Sequence, residues 1–304
     1  MPSQTDAQQA EQKRPSEEEL RGVLDALGVT GLGAGAIRAF CSEEDGAPYA
    51  VWLVDTGRDK RVLKRAKGFE TEVYRCFFRE KKPYVPAFLG QCEAGGETWF
   101  LTEYCPGEDL RLATREKLEK AIDALAAMQN EFWGREELYG AAVTLDRALK
   151  AAEDRGRYLR SERLERAYAA FLERFQTTPR TLCHDDLLPI NLLVGERAVL
   201  IDWEYGGMLP YPLSFARLIA HAREDRSAYF YLSEADRAWA IDAYYEKLVK
   251  KHGISYGKYR SALDAFLFYE YCEWIMLGNR YDAREDERFG YCMKLAEALA
   301  PSIM

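Results

Sequence analysis

The stretch TLCHDDLLPINLLVGERAVLIDWEYGG (181–207) gathers side chains that suit one kind of chemistry. His184, Asp185 and Asp186 stand together, Asn191 follows on the same loop, and Asp202 comes directly after an apolar run over 198–201. Moving a phosphoryl group to a hydroxyl requires a carboxylate to orient the acceptor and take its proton. It also requires oxygen ligands for Mg²⁺ and a cation to offset charge on the transferring group. Asp186 can serve as that carboxylate. Asn191 offers an amide oxygen and Asp202 a second carboxylate, the hard donors that Mg²⁺ prefers. An acidic loop after a strand also arises by chance, so the surrounding elements have to agree.

Residues 1–14 carry no apolar periodicity and read as a disordered tail. Ser16 and Glu19 have capping-box spacing, which opens a helix running to about Leu27. IRAFCS (37–42), YAVWLVD (49–55) and RVLKR (61–65) read as strands. The short connections EEDGAP (43–48) and TGRDK (56–60) make them an antiparallel meander. In FETEVYRCFFREKK (69–82), Phe69, Val73, Cys76 and Phe77 recur at helical spacing until Pro83 and Pro86 end the helix. TWFLTEY (98–104) is a further strand, broken by CPGED (105–109). Helix begins near Arg115, a charged helical stretch covers 144–175, and helices resume after Pro212, with Ser233 and Asp236 as a second capping-box candidate. Strands with one helix come first and a larger helical part follows. The expected class is therefore α+β in two lobes: a tail at 1–14, an N-lobe at 15–104 and a C-lobe at 105–304.

HDDLLPIN followed by IDWEYGG is similar to the catalytic and metal-binding segments of the aminoglycoside phosphotransferase/choline kinase superfamily. That family carries His-x-Asp-x-x-x-x-Asn and, further on, Ile-Asp-x-x. The resemblance spans roughly 20–220 and is strongest over 181–207. It implies a bilobal protein-kinase-like fold, a small N-lobe with an antiparallel sheet plus helix and a larger, mainly helical C-lobe. It also implies an ATP-dependent small-molecule kinase that uses Mg²⁺. On this match Asp186 is the catalytic Asp, His184 the structural His of the loop, and Asn191 and Asp202 the metal ligands. Lys64, on the third strand of the meander, stands where kinases place the lysine that pairs the α- and β-phosphates. Glu70 is the preferred ion-pair partner for it, with Glu72 as the alternative. The phosphate-covering loop is expected at Gly46 and Ala47, where backbone N–H groups do the work; the richer GLGAGA (31–36) is the alternative. The backbone of Glu103 and Cys105 would hold adenine. The chain departs from the family at Leu213-Ser214-Phe215-Ala216, where many relatives have Asp-Leu-Ala or Asp-Ile-Ala. That Asp usually braces the catalytic loop, so its loss bears on loop rigidity.

Acceptor specificity is expected from the helical C-terminal part. FLFYEYCEWIMLGNRY (266–281) interleaves Phe268, Tyr269, Tyr271 and Trp274 with Glu270 and Glu273. Aromatic faces beside a carboxylate can hold an ammonium through cation–π attraction, although helix-core packing explains such a run equally well. Glu204, Glu270, Tyr271 and Trp274 are the candidate acceptor contacts. IDWEY looks closer to bacterial choline and thiamine kinases, which points to choline, ethanolamine or thiamine. An aminoglycoside acceptor, met by the acidic stretch 282–287, is the alternative. An inactive kinase-fold binding module is the third reading, opposed by the presence of Lys64, Asp186, Asn191 and Asp202.

The 304-residue chain is 48% hydrophobic and 30% charged, an ordinary globular composition. Its net charge of −8 excludes a general nucleic-acid binder, which needs a basic face, and suits a cationic ligand. The seven cysteines include no CxxC pair, so neither a zinc site nor a disulfide framework is expected, only reduced thiols. No apolar run reaches membrane-spanning length, and the polar N-terminus lacks the core of a signal peptide. The expected setting is cytoplasmic, as monomer or homodimer.

Overall fold

Alternating side chains build the sheet. In β2 (Pro48–Asp55) Trp52 and Val54 are buried, and in β3 (Lys60–Arg65) Leu63 is, as a period of two requires for a sheet with one covered face. β1 (Ile37–Cys41), β4 (Phe88–Ala94) and β5 (Glu97–Glu103) complete five antiparallel strands in the order β1-β2-β3-β5-β4. The structure is a computed structural model that describes residues 14–42 and 46–304. The expected tail therefore lies, but for Arg14, outside the described residues, and so do positions 43–45 of the EEDGAP turn.

The helix α1 (Glu17–Ala26) starts as its spacing requires. Ser16 Oγ accepts the Glu19 N–H at 3.2 Å, and the Glu19 carboxylate accepts the Ser16 N–H at 2.6 Å. Its Leu20, Val23 and Leu24 join Trp52, Val54, Leu63, Trp99 and Leu101 in one core cluster. β4 was not anticipated from sequence. It is an edge strand with polar Gln91 and Glu93 outward, and it follows two prolines, so its apolar signal is thin. The sign of it is Gly95-Gly96, both at positive φ, which close a tight hairpin between β4 and β5.

The chain forms two compact units. The first runs to Ala66 and resumes at Phe88–Tyr104, so it holds α1 and the whole sheet; the second holds Lys67–Ala87 and Cys105–Met304. α2 (Glu70–Phe77), grouped with the strands on sequence grounds, thus falls in the second unit. Its contacts explain this. The Phe69 N–H donates to the Glu204 carbonyl at 2.9 Å, and Glu72 Oε1 accepts the Ala142 N–H at 3.0 Å. α2 also ends earlier than expected. Phe78 leaves helical geometry at φ −124°, which lets two successive phenylalanines be buried. The Phe78 ring then packs on Trp203 at 4.9 Å and near Tyr84 and Phe132.

The remaining helices of the second unit are α3 (Arg115–Phe132), α4 (Leu145–Gly156), α5 (Glu162–Thr177), α6 (Pro212–Ala220), α7 (Glu234–Lys247), α8 (Tyr256–Arg280) and α9 (Glu287–Ile303). The single charged stretch expected over 144–175 is two helices, broken at 157–161 where Arg160 takes φ +55°. β6 (Arg180–His184) pairs with β9 (Gly206–Pro210), and β7 (Leu192–Val194) with β8 (Ala198–Leu200), both antiparallel. α8 packs on α5, α6 and α9. There Tyr269 stacks on Phe171 at 4.9 Å and Phe266 packs edge-on to the same ring, so much of the aromatic run 266–281 is core. Among the described residues no helix is long and apolar enough to cross a membrane.

Candidate active site

β6 delivers His184 at its end, and the chain then turns through Asp185 and Asp186 into a short 3₁₀ turn, Pro189–Asn191. The Asn191 amide Nδ2 donates to the Asp186 carbonyl at 2.8 Å, which locks the turn and directs Oδ1 the other way. Ile201, the residue before Asp202, is clamped on both backbone groups. Its N–H donates to the Asn191 carbonyl at 2.9 Å, and its carbonyl meets His184 Nε2 at 2.7 Å. His184 is thus a structural clasp: a buried ring, 1% exposed, that fixes the segment carrying Asp202 against the loop carrying Asp186 and Asn191. The Trp203 indole packs beside it at 4.6 Å and donates to the Leu200 carbonyl.

The brace lost with the family's Asp has a substitute. Ser214 Oγ, fully buried on α6, accepts the His184 N–H at 2.8 Å. One neutral hydroxyl therefore holds the backbone at the start of the loop that carries Asp186.

Asp202 sits at φ +67°, the left-handed region that non-glycine residues rarely enter. Strain of this kind is held only where neighbours fix it, and the Ile201 clamp does so. Asp186 and Asp202 act on one neighbour: burial raises the Tyr205 phenol above its usual value, and the carboxylates of Glu204, Asp186 and Asp202 add to the rise. Burial also raises Tyr74 well above its ordinary value, with further push from Glu70 and Asp202. Glu70, buried on α2, therefore lies in the same electrostatic neighbourhood as Asp202.

Behind Asp186 lies a dense charged cluster. Arg217 on α6 donates from Nε at 3.2 Å and Nη2 at 2.8 Å to Asp186 Oδ1, and from Nη1 at 2.9 Å to Glu270 Oε2; Glu273 Oε2 also receives Nη1. Trp274 donates its indole N–H to His221 Nδ1 at 3.1 Å, so the ring proton sits on Nε2, 3.2 Å from Glu270 Oε2. Against the cost of burial, Arg217 and Arg155 hold the Glu273 carboxyl down at about 2, and Arg217 with His221 lowers Glu270. Burial, reinforced by Glu270 and partly offset by Arg155 and Arg217, pushes Asp185 up to about 7.

The Asp185 shift has a measurable consequence. Its folded value lies above the ordinary 3.8, so this group's contribution to stability is complete below the ordinary carboxylate range and is lost as pH rises through about 7. Asp185→Asn, which cannot ionise, is expected to melt above wild type at pH 8, with the gap narrowing as pH falls toward 5. Thermal unfolding at both pH values reads it, and a gap that widens at low pH contradicts it.

The other expected residues fall into place unevenly. In the first unit, Lys64 lies on β3 opposite Val51 and Phe100, and Glu103 ends β5. Gly46 takes φ +70°, its N–H donates to the Ser42 carbonyl, and the Ala47 carbonyl accepts the Ser42 N–H. The alternative loop 31–36 is tied to α1, because Arg21 donates to the Leu32 and Gly33 carbonyls. In the second unit, Cys105 is buried and its sulfur accepts from Arg197 at 3.5 Å. Glu204 lies 3.6 Å from Lys67. α8 does not present its candidate acceptor contacts as an open cage. Glu270 is 1% exposed and paired with Arg217, and Tyr271 is 7% exposed. Trp274 already has the Arg288 guanidinium over its ring at 4.0 Å. Arg217 and Ser214 had no local signal of their own. Only the departure from the family's Asp drew attention to their helix.

The sequence profile described as the phosphotransferase enzyme family matches residues 43–248. No curated protein sequence shows significant similarity. Among solved structures, a choline/ethanolamine kinase family protein from Mesorhizobium loti superposes with a TM-score of 0.63 at 16% identity, over 94% of this chain and 98% of that one. An aminoglycoside phosphotransferase from Alicyclobacillus acidocaldarius gives 0.61 at 13% identity, over 96% of each chain. An aminoglycoside phosphotransferase from Streptomyces rimosus, in complex with ADP and streptomycin, gives 0.54 at 18% identity, over 86% of this chain and all of that one. These superpositions establish a shared fold, the bilobal protein-kinase-like architecture. With the profile covering most of the chain, the protein belongs to the phosphotransferase enzyme family and transfers phosphate to a hydroxyl acceptor.

Proposed function

We propose that the protein is an ATP- and Mg²⁺-dependent kinase of a small hydroxyl-bearing molecule, with an amino alcohol such as choline or ethanolamine, or thiamine, as acceptor. The observation that carries the reading is the double clamp on Ile201, which ties Asp202 to the loop of Asp186 and Asn191 inside one unit. The donor set fits a hard divalent cation. Asn191 spends its N–H on the Asp186 carbonyl and so turns its oxygen outward, Asp202 supplies a carboxylate, and the imidazole of His184 is engaged by Ile201. Asn191 and Asp202 would hold the metal, whose contribution when bound is to offset charge on the nucleotide's phosphate oxygens.

Asp186 would orient the acceptor hydroxyl toward the γ-phosphoryl group and take its proton. Asn191, through Nδ2, holds the backbone from which Asp186 projects. Lys64 is assigned to the nucleotide's phosphates, Gly46 and Ala47 to the loop covering them, and the backbone of Glu103 and Cys105 to adenine, all by resemblance. Glu72 accepts the Ala142 N–H within the second unit. The likeness to a choline/ethanolamine kinase family protein supports an amino-alcohol acceptor. A second reading, an aminoglycoside acceptor, draws on the relative whose complex contains streptomycin and on the net charge of −8.

The test is ADP release with Mg-ATP against choline, ethanolamine, thiamine and a panel of aminoglycosides, with Asp186→Asn as blank. Turnover confined to one small amine supports the proposal, and turnover confined to aminoglycosides replaces it with the second reading. Failure to bind Mg-ATP in calorimetry removes both and leaves an inactive kinase fold.

A further inference from the structure

Arg217, a buried cation of the second unit, makes an asymmetric set of bonds. Two of its nitrogens, Nε and Nη2, converge on a single oxygen of Asp186, Oδ1. Among the described residues nothing donates to Oδ2 of the same carboxylate. The third nitrogen, Nη1, is anchored at the other end by Glu270 and Glu273. Those anchors are themselves fixed. Glu270 Oε2 also receives His221, whose ring is held by Trp274, and Arg155 approaches Glu273 at 3.8 Å. His221, Glu270 and Glu273 have the spacing of a metal site, with ligand atoms within 4.8 Å of one another. Arg217 Nη1 sits among those atoms, so a guanidinium of the chain takes the place a metal would need.

We propose that Arg217 is a positioning residue for phosphoryl transfer: it pins Asp186 through Oδ1 so that Oδ2 alone faces the acceptor, and Glu270 serves the reaction by holding Arg217 and does not bind the acceptor's cation. This rests on the reading of Asp186 as the residue that orients the acceptor. The chemistry tolerates such a partner. A loose transition state asks for an aligned hydroxyl more than for a strong base. A planar fork can bridge Asp186 and Glu270 at once, with two donors on one side and one on the other. An ammonium is a point charge and cannot span both. The inference also explains why Glu270 is buried and paired on α8, where an acceptor-binding carboxylate would stand open.

The test compares Arg217→Lys, Arg217→Gln and Glu270→Gln with wild type and with Asp186→Asn. The readouts are Mg-ATP hydrolysis, with water as acceptor, Mg-ATP binding by calorimetry, and melting temperature. Arg217→Lys keeps the buried charge and is expected to fold. It should keep Mg-ATP affinity near wild type and melt only modestly lower, since the ammonium still neutralises the cluster without spanning it, while kcat falls about 10²-fold, the scale of a small misplacement at the reacting centre. Glu270→Gln should lower kcat in the same direction by less. Arg217→Gln takes the guanidinium from three carboxylates, Asp186, Glu270 and Glu273, so its misfolding would not bear on the result that the lysine variant gives. Wild-type kcat in folded Arg217→Lys overturns the inference, and if Asp186→Asn is still inactive the reading of Asp186 stands. A parallel fall of kcat, affinity and melting temperature in Arg217→Lys marks a purely structural role and also overturns it. Equal hydrolysis by wild type and Asp186→Asn overturns both.

Discussion

Asp186→Asn is expected to leave a folded protein that binds Mg-ATP nearly as wild type and turns over about 10³- to 10⁴-fold more slowly, near the upper range for loss of a general base. The substitution keeps the shape of the side chain and its carbonyl bond from Asn191, so the loop need not rearrange. It removes the acceptor oxygen that a hydroxyl proton can move to, and it exchanges the two charge-assisted bonds from Arg217 for weaker ones. A loss confined to kcat with Kd for Mg-ATP unchanged is the signature of an interaction made in the transition state. Near-wild-type kcat in this variant would reassign the role, and Asp185, the adjacent carboxyl, would be the next candidate.

The second large effect separates stability from function at one residue. Asp202→Ala and Asp202→Gly should both weaken Mg-ATP binding and lower kcat by about 10³-fold, because electrostatic help with the transferring charge dominates this chemistry. Their stabilities should differ. The residue sits at φ +67°, where a Cβ costs about 1–2 kcal/mol and glycine costs little. Asp202→Gly is therefore spared that backbone cost. Asp202→Ala should melt below the glycine variant, since alanine keeps the Cβ and loses the polar side chain that tolerates this conformation. Calorimetry with Mg-ATP and thermal unfolding of the two variants read both effects. An alanine variant that melts above the glycine variant would mean the backbone is not held in this conformation in solution.

Several features were legible because their causes are local. The capping box at Ser16 and Glu19 depends on residues three positions apart, and the meander of β1, β2 and β3 and the string from His184 to Asp202 each lie within one continuous stretch of sequence. Features decided by packing were misjudged. α2 stops at Phe77 because Phe78 is drawn into the aromatic cluster around Trp203, not because of the prolines that follow. The stretch 144–175 breaks over 157–161, directly after Gly156, a helix-ending glycine whose signal the run of charged residues around it masked. Helical periodicity in 266–281 fits a core face and an aromatic cage alike, and only the neighbours Phe171 and Phe175 on α5 show where those rings point.

The amino-acid sequence by itself determined the chemistry available to this protein: a carboxylate, an amide oxygen and a second carboxylate at the spacing of a phosphotransferase loop. Residue type and short spacing suffice for that, since the bonds that shape the loop stay within one stretch of sequence, from 5 positions for Asn191 to Asp186 up to 17 for His184 to Ile201. Tertiary structure alone decided what surrounds the carboxylate. Arg217 lies 31 positions from Asp186 and 53 from Glu270, and Ser214 lies 30 from His184. No local pattern encodes bonds of that span. They exist because α6 and α8 pack together behind the loop, and buried charges there must find partners wherever the fold brings them.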